Sequence, residues 1–310
     1  MTAPYGTSGT GATPRLGAAA GIGVVIATRN RAGPLAATLG RLTTLPEAPR
    51  IVVVDNASID GTPEMVRDCF PRVLVLRLPR DKGVVARTDG VRRLRTPLIA
   101  FSDDDSWWAP GALARAEALM REHPRLGLLS ARVLVGADRR PHPLDDTPAA
   151  SPLGRAPDLP GPSVLGFPPC AAVVRREAYL QTGGFSRLLS SGGAESVLAY
   201  DLAARGWGLA HCPDVVAHHC PAVRPCEGHD ARMARDALLT AWLRRPLPLA
   251  LRRTLAVAVR VGHDRVARHA LCGTLSRLPA ALAHRRPVPS GVEADIRLLE
   301  RHTGGDGRGG

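Results

Sequence analysis

Along the first two thirds of the chain, apolar residues fall in short unbroken blocks without polar alternation. Residues 22–27 (Ile-Gly-Val-Val-Ile-Ala), 51–54 (Ile-Val-Val-Val), 73–78 and 98–101 are such blocks, and several are rich in β-branched side chains. Runs of this kind predict strands buried on both faces. Between them, residues 34–42 repeat Leu35, Leu39 and Leu42 at helical spacing, and residues 63–70 and 84–94 also read as helices. The alternation predicts an α/β fold, a single Rossmann-like, mostly parallel sheet with helices on both faces. Downstream come a helix over 110–121, with Pro110 tolerated in its first turn, and a strand over 126–135. A Pro-, Gly- and Asp-rich loop over 136–165 precedes a short strand at 171–174 and a helical turn through Tyr179. Gly192-Gly193-Ala194-Glu195 introduces a helix over 196–205, followed by short strands at 209–212 and 215–217. Residues 231–278, rich in Arg, Ala and Leu, predict two or three amphipathic helices interrupted at Pro246 and Pro248.

In a parallel sheet the functional loops gather at the strand C-terminal ends. Thr28, Asp55 and the run Asp103-Asp104-Asp105 all occupy such ends. Three adjacent carboxylates raise one another's pKa and repel unless a cation sits among them. Oxygen ligands suit Mg²⁺ or Mn²⁺, which bridge protein carboxylates to substrate phosphates. An acidic turn leading into a helix is the plainer reading. Three strand ends converging on one place favour the metal. Trp107 and Trp108 follow the run and fit either core packing or an aromatic wall for an acceptor.

Composition narrows the partners. The 310 residues, 45% hydrophobic, can bury a sizeable core, and 41 Lys and Arg against 28 Asp and Glu leave a formal charge of +13. That charge suits nucleic acid, anionic lipid or nucleotide-linked substrates alike. Aromatics at 4% argue against a stacking surface for single strands, and no helix-turn-helix or finger spacing is present, so nucleic acid is not expected as a partner. The six cysteines follow no secreted-scaffold pattern, the N-terminus does not read as a signal peptide, and no apolar tract reaches a membrane span. The expectation is a cytoplasmic protein with reduced thiols. Cys212, His218, Cys220, Cys226 and His229 fit no zinc knuckle by spacing.

Five segments in order carry a resemblance: 24–30 (Val-Val-Ile-Ala-Thr-Arg-Asn), 53–58 (Val-Val-Asp-Asn-Ala-Ser), the Asp103–Asp105 run, Gly192–Glu195 with 201–207 (Asp-Leu-Ala-Ala-Arg-Gly-Trp), and 213–219. Over about residues 22–220 the chain resembles the family 2 glycosyltransferases, inverting enzymes of the GT-A fold, and among them bacterial rhamnosyltransferase-like members. The resemblance implies a nucleotide-diphosphate-sugar donor, with Thr28 and Arg29 bordering the nucleotide and Asp55 receiving a base N–H. It implies Asp103 beside the ribose or the metal's waters, Asp105 as direct ligand to Mg²⁺ or Mn²⁺, and His219 as the second metal residue. Asp104 joins the donor-binding set with Arg87, a phosphate contact or else an ordinary salt bridge. Glu195 is implied as the base that deprotonates the acceptor hydroxyl. Asp201 is the runner-up, read instead as a structural partner of a nearby Arg. Lys82 and Asp89 depart from the family, where Asn is common at both places, as do Ala194 and Ser196, where acidic residues are common.

The resulting layout is a tail over 1–20, a catalytic domain over 21–225, a helical extension over 226–300 and a tail over 301–310. The acceptor is expected to be a carbohydrate, a lipid-linked glycan or a small molecule. Two other functions compete. A nucleotidyltransferase would carry an early Gly-rich phosphate loop, which Thr28-Arg29-Asn30-Arg31 does not provide. A non-enzymatic basic binding protein would use the Arg-rich C-terminal third and leave the ordered carboxylates unexplained. The C-terminal helices are open to three uses: a cover for the acceptor, a homodimer surface, or a peripheral contact with the inner face of the membrane.

Overall fold

The computed structural model describes residues 21–136, 140–141, 151–190, 192–221 and 228–305. The expected tail over 1–20 and residues 306–310 lie outside the described residues. The apolar blocks become β1 (Ile22–Thr28), β2 (Arg50–Asp55), β3 (Leu74–Arg77) and β4 (Leu98–Ser102). They lie in the order β3-β2-β1-β4, parallel throughout. Intervening helices are α1 (Ala32–Leu42), α2 (Thr62–Cys69) and α3 (Ala86–Arg93). Beyond β4 the sheet continues through β8 (Ala172–Arg175), β6 (Leu126–Val135), β9 (Gly208–His219) and β5 (Ser106–Trp108), with β7 (Arg140–Pro141) paired to β6. β8, β5 and β7 run antiparallel to their neighbours, and six of the nine strands share one direction.

Successive strand residues point to opposite faces, and the core divides accordingly. Val25, Val52, Val54, Ile99 and Phe101 belong to one buried cluster. Val24, Ile26, Ile51, Val53 and Ala100 belong to the other. α3 lies unusually close to the sheet because Gly90 has no side chain: a Cβ there would sit 2.6 Å from Val25 Cγ1 and 3.0 Å from Val54 Cγ2. α4 (Ala112–Glu122), α5 (Arg176–Thr182) and α6 (Ala194–Ala203) complete the flanking layers.

Several expectations need correction. Residues 106–108 form a strand, which three residues leave too short for any periodicity to reveal. The two short strands expected at 209–217 are one strand, β9, whose pairing jumps from Cys212 opposite Ala131 to Val216 opposite Arg132. Pro213 has no N–H to give the ladder, so the chain bulges there and resumes. Helix α6 starts at Ala194, which places Glu195 within its first turn rather than ahead of it.

At the C-terminal end, α7 (His229–Arg244), α8 (Leu247–Ala258), α9 (Arg265–Leu275), α10 (Leu278–Ala283) and α11 (Ser290–Gly305) follow. Pro246 separates α7 from α8, and Pro248 sits in the first turn of α8, where its missing N–H costs nothing. The Asp264 carboxylate caps α9 by accepting from Ala267 N at 3.0 Å. Leu239, Trp242 and Leu243 of α7 share the buried cluster of Phe101 and Leu198, so these helices are packed on the sheet layer itself. α11 runs through Gly305, past the expected tail boundary at 301. Among the described residues no helix is long and apolar enough to cross a membrane.

Candidate active site

The register brings the strand-end residues together. Thr28 lies opposite Asp55, and Ile26 opposite Ser102, so Asp55, Thr28 and Asp103 leave adjacent strands at one edge. Asp55 is 0% exposed. Its Oδ2 accepts from Ser58 N at 3.3 Å and lies 3.9 Å from Arg77 Nε, while its buried Oδ1 has no partner among the described residues. Leaving a carboxylate oxygen dry and unpaired costs free energy unless a donor arrives from outside. Beside it, Asn56 Nδ2 donates to Asp81 and Asn56 Oδ1 accepts from Lys82 N at 2.8 Å. Arg29 reaches Asp81 at 2.5 Å, at the open side of this strand end.

The three carboxylates diverge. Asp104 faces inward, where Thr28 Oγ1 donates to it at 2.8 Å and Arg31 Nε at 2.9 Å, while its carbonyl accepts from Thr38 Oγ1. Burial raises its pKa despite the opposing pull of Thr28 and Arg31. Asp105 Oδ2 accepts from Arg31 NH2 at 2.7 Å, and Asp105 Oδ1 lies 3.2 Å from His219 Nε2. Burial pushes the Asp105 pKa up, but the hydrogen bond and charge of His219, with Arg31, outweigh it and leave it lowered. The same hydrogen bond raises His219. Asp103 accepts from Arg87, and its own N donates to Ser106 Oγ at 2.7 Å.

β5 explains which histidine serves. Ser106 pairs with His219 and Trp107 with His218. His219 therefore falls beside Asp105, whereas His218 stacks on Trp107 with ring centroids 5.4 Å apart. Arg41 lies 3.7 Å over the same indole, so the chain's own side chains cover Trp107. Trp108 is wholly buried in the core and presents no surface to an acceptor.

Arg87 opens α3, nearly buried at 8% exposure. Burial lowers its pKa, but Asp103 and then Glu195 reverse this and keep it raised, which makes it a fixed positive charge between two carboxylates. It does make an ion pair, with Asp103, but a largely buried one. Glu195 is 4% exposed, and its Oε2 accepts from Gly192 N at 2.5 Å. Asp236 of α7 holds the preceding loop, accepting from Ser190 N at 2.7 Å. A Cβ at Gly193 would meet Asp236 Cβ at 2.7 Å, so glycine permits that approach. Asp201 points elsewhere: Arg244 donates to both its oxygens, from NH2 at 2.8 Å to Oδ2. That is the structural role expected of it.

Two site residues escaped the sequence reading. Arg31 stands one position past the 24–30 segment and bridges Asp104 and Asp105. Cys170 lies with Asp103 and His219 in a cluster whose ligand atoms are all within 4.8 Å of one another. Burial drives the Cys170 thiol pKa far up. Asp103, Asp105 and His219 offer carboxylate oxygens and an imidazole nitrogen at one place. The donor set fits a hard divalent cation. The two departures noted at Lys82 and Asp89 are partners: Lys82 Nζ lies 2.9 Å from Asp89 Oδ2. Of the five residues weighed for zinc, Cys226 lies outside the described residues.

In a parallel sheet ligands bind at the C-terminal ends of the strands, where these carboxylates, His219 and Arg87 lie. The chain belongs to the glycosyl transferase family 2, which it matches over residues 23–183. It is 29% identical over 96 residues to the succinoglycan biosynthesis protein ExoU of Rhizobium meliloti, covering 30% of this chain and 28% of that one. It is 31% identical over 169 residues to a validoxylamine A glucosyltransferase of Streptomyces hygroscopicus, covering 49% and 36%. The matched segments thus span well under half of these curated relatives. Among solved structures, the fold is shared with the mannosyltransferase PcManGT of Pyrobaculum calidifontis, in complex with GDP-Man and Mn²⁺. The TM-score is 0.56 at 20% identity, over 92% of this chain and 87% of that one.

Proposed function

We propose that this protein is a divalent-metal-dependent, inverting glycosyltransferase. It moves a sugar, rhamnose by family weighting, from a dTDP- or UDP-linked donor to an acceptor hydroxyl. The observation that carries this is the convergence at the strand C-terminal ends of a buried Asp55 oxygen with no partner among the described residues, the Asp103, Asp105 and His219 donors, and Arg87 paired with Asp103.

Asp55 Oδ1 accepts the pyrimidine ring N–H, which supplies the partner it lacks. Asp103, Asp105 and His219 would hold Mg²⁺ or Mn²⁺, and a bound ion would supply charge neutralisation at the donor diphosphate. Arg87 adds a preorganised cation beside Asp103, where negative charge grows as the bond from the anomeric carbon to the diphosphate oxygen breaks. Glu195 takes the proton of the acceptor hydroxyl as that oxygen bonds to the anomeric carbon from the opposite face. The configuration inverts, and the nucleoside diphosphate leaves. An ordinary carboxylate suffices, because the hydroxyl becomes acidic only as its bond to carbon forms. The acceptor is a glycan, a lipid-linked glycan or a small molecule; the curated relatives, named for succinoglycan and for validoxylamine A, support the first and third of these.

The test is a donor screen by calorimetry and mass spectrometry, with and without Mg²⁺ or Mn²⁺, on wild type and Asp105→Ala. Metal-dependent binding or hydrolysis of one nucleotide sugar, lost in the variant, is expected. Binding of no nucleotide sugar, with wild type and variant alike, would overturn the reading.

A further inference from the structure

Helix α8 buries one face and leaves the other uncovered. Ala250 is fully buried, and Thr254 Oγ1 accepts from Trp242 Nε1 at 3.0 Å, which pins that side to α7. Outward, Leu247, Leu251, Leu255 and Val259 recur every four residues and form a continuous stripe, 46%, 52%, 66% and 70% exposed. Exposed leucines occurring singly need no explanation, but four in a row along one helix do. Within residues 247–286 the chain carries eight arginines and no lysine, against one acidic residue, Asp264. Arg252 lies on the border of the stripe and makes no ion pair among the described residues. It also lines a cavity of about 340 Å³ with Arg245, Pro248, Leu249, Arg297 and Glu300.

We infer that the outer face of α8 docks on an anionic lipid bilayer, with the leucine stripe at the acyl boundary and Arg252 at the headgroup phosphates. Apolar area plus basic flanks is the combination by which an amphipathic helix lies in a membrane interface. Charge selects this occupant. A second copy brought up about a two-fold axis would set this basic segment against its own duplicate, whereas an anionic leaflet offers the opposite charge, worth about 1 kcal/mol for each arginine near its surface. α8 packs on α7, whose Asp236 holds the loop before Glu195. The inference goes beyond the donor reading and does not rest on it.

The experiment is flotation of the full chain with vesicles of phosphatidylcholine alone and of phosphatidylcholine with phosphatidylglycerol. The comparison includes wild type, Leu251→Asp/Leu255→Asp and Arg252→Gln, with light scattering and thermal melting of each. Expected are flotation only with the anionic vesicles, weakening with salt, loss in the double variant at unchanged melting temperature, and about fivefold weaker binding for Arg252→Gln. Three results would overturn it: no flotation, equal flotation of the double variant, or a wild-type dimer that the double variant dissolves. The last would assign the face to a second copy. Nucleotide-sugar calorimetry on the same samples reports on the donor site separately.

Discussion

Three buried arginine–carboxylate systems use the same chemical groups for different ends. Arg244 gives Nε and NH2 to Asp201, tying α6 to α7, and its NH1 to the carbonyls of Leu243 and His284. Beside it, Arg245 is 1% exposed and shared between Glu293 and Glu300, tying α7 to α11. Arg87 is equally buried, yet it is the positive charge between Asp103 and Glu195, and Asp103 also belongs to the Cys170–His219 cluster. In the first two systems Nε and both terminal nitrogens of each guanidinium are paired; in the third, Arg87 Nε is buried with no partner among the described residues. Burial alone does not mark a functional charge. Incomplete pairing does.

The largest effect that would sharpen this contrast is on rate. Glu195→Gln keeps the shape and removes the proton acceptor, so turnover should fall roughly a hundred- to ten-thousand-fold while donor binding by calorimetry persists. Loss of both together would make Glu195 a structural residue. Next, Asp201→Asn leaves Arg244 buried with a neutral partner and should cost up to about 3–5 kcal/mol in urea unfolding. Asp105→Ala removes half-buried contacts to Arg31 and His219 but leaves Arg31 paired with Asp104, and should cost only about 1 kcal/mol in the same transition. Equal losses would erase the distinction between the two carboxylates.

A smaller effect is acidic. Burial pushes Glu293 and Glu300 up, but hydrogen bonds from Arg245 outweigh it and hold both below the ordinary glutamate value. A carboxylate lowered on folding stabilises above its unfolded pKa, near 4.3, and loses that contribution as pH falls through the folded value. The stability gap between wild type and Glu300→Gln should therefore be full at neutral pH and close on acidification below about pH 4. A gap independent of pH would show that the charge is not what matters. The smallest effect is at Lys82–Asp89: a double-mutant cycle with Lys82→Asn and Asp89→Asn should return a coupling of about 0.2–1 kcal/mol. Zero coupling would mean that the two departures from the family arose independently.

Much of the donor side was legible in the residues. The strand blocks carry their own signal, and Thr28, Asp55 and the Asp103–Asp105 run follow directly from where each block ends. Less could be read where partners are distant. Asp201 was expected to pair with an arginine near its helix, and its partner is Arg244, 43 residues away on α7. Arg31 and Cys170 carried no local signal, because a lone arginine after a strand and a lone cysteine in an apolar stretch look like any others. Trp107 and Trp108 could be read two ways until β5 paired with β9 and buried one while covering the other.

By itself, then, the sequence determined the α/β class, the half of the sheet from β1 to β4, and the strand ends at which carboxylates collect. These depend on periodicity and on residues within a few positions of each other, and short-range sterics and burial act on those directly. Tertiary structure alone decided which histidine meets Asp105, which carboxylates are saturated, and which face of α8 stays uncovered. Each of those depends on strand register and on side chains brought together across long stretches of chain, and a one-residue shift in register turns a side chain to the opposite face of the sheet.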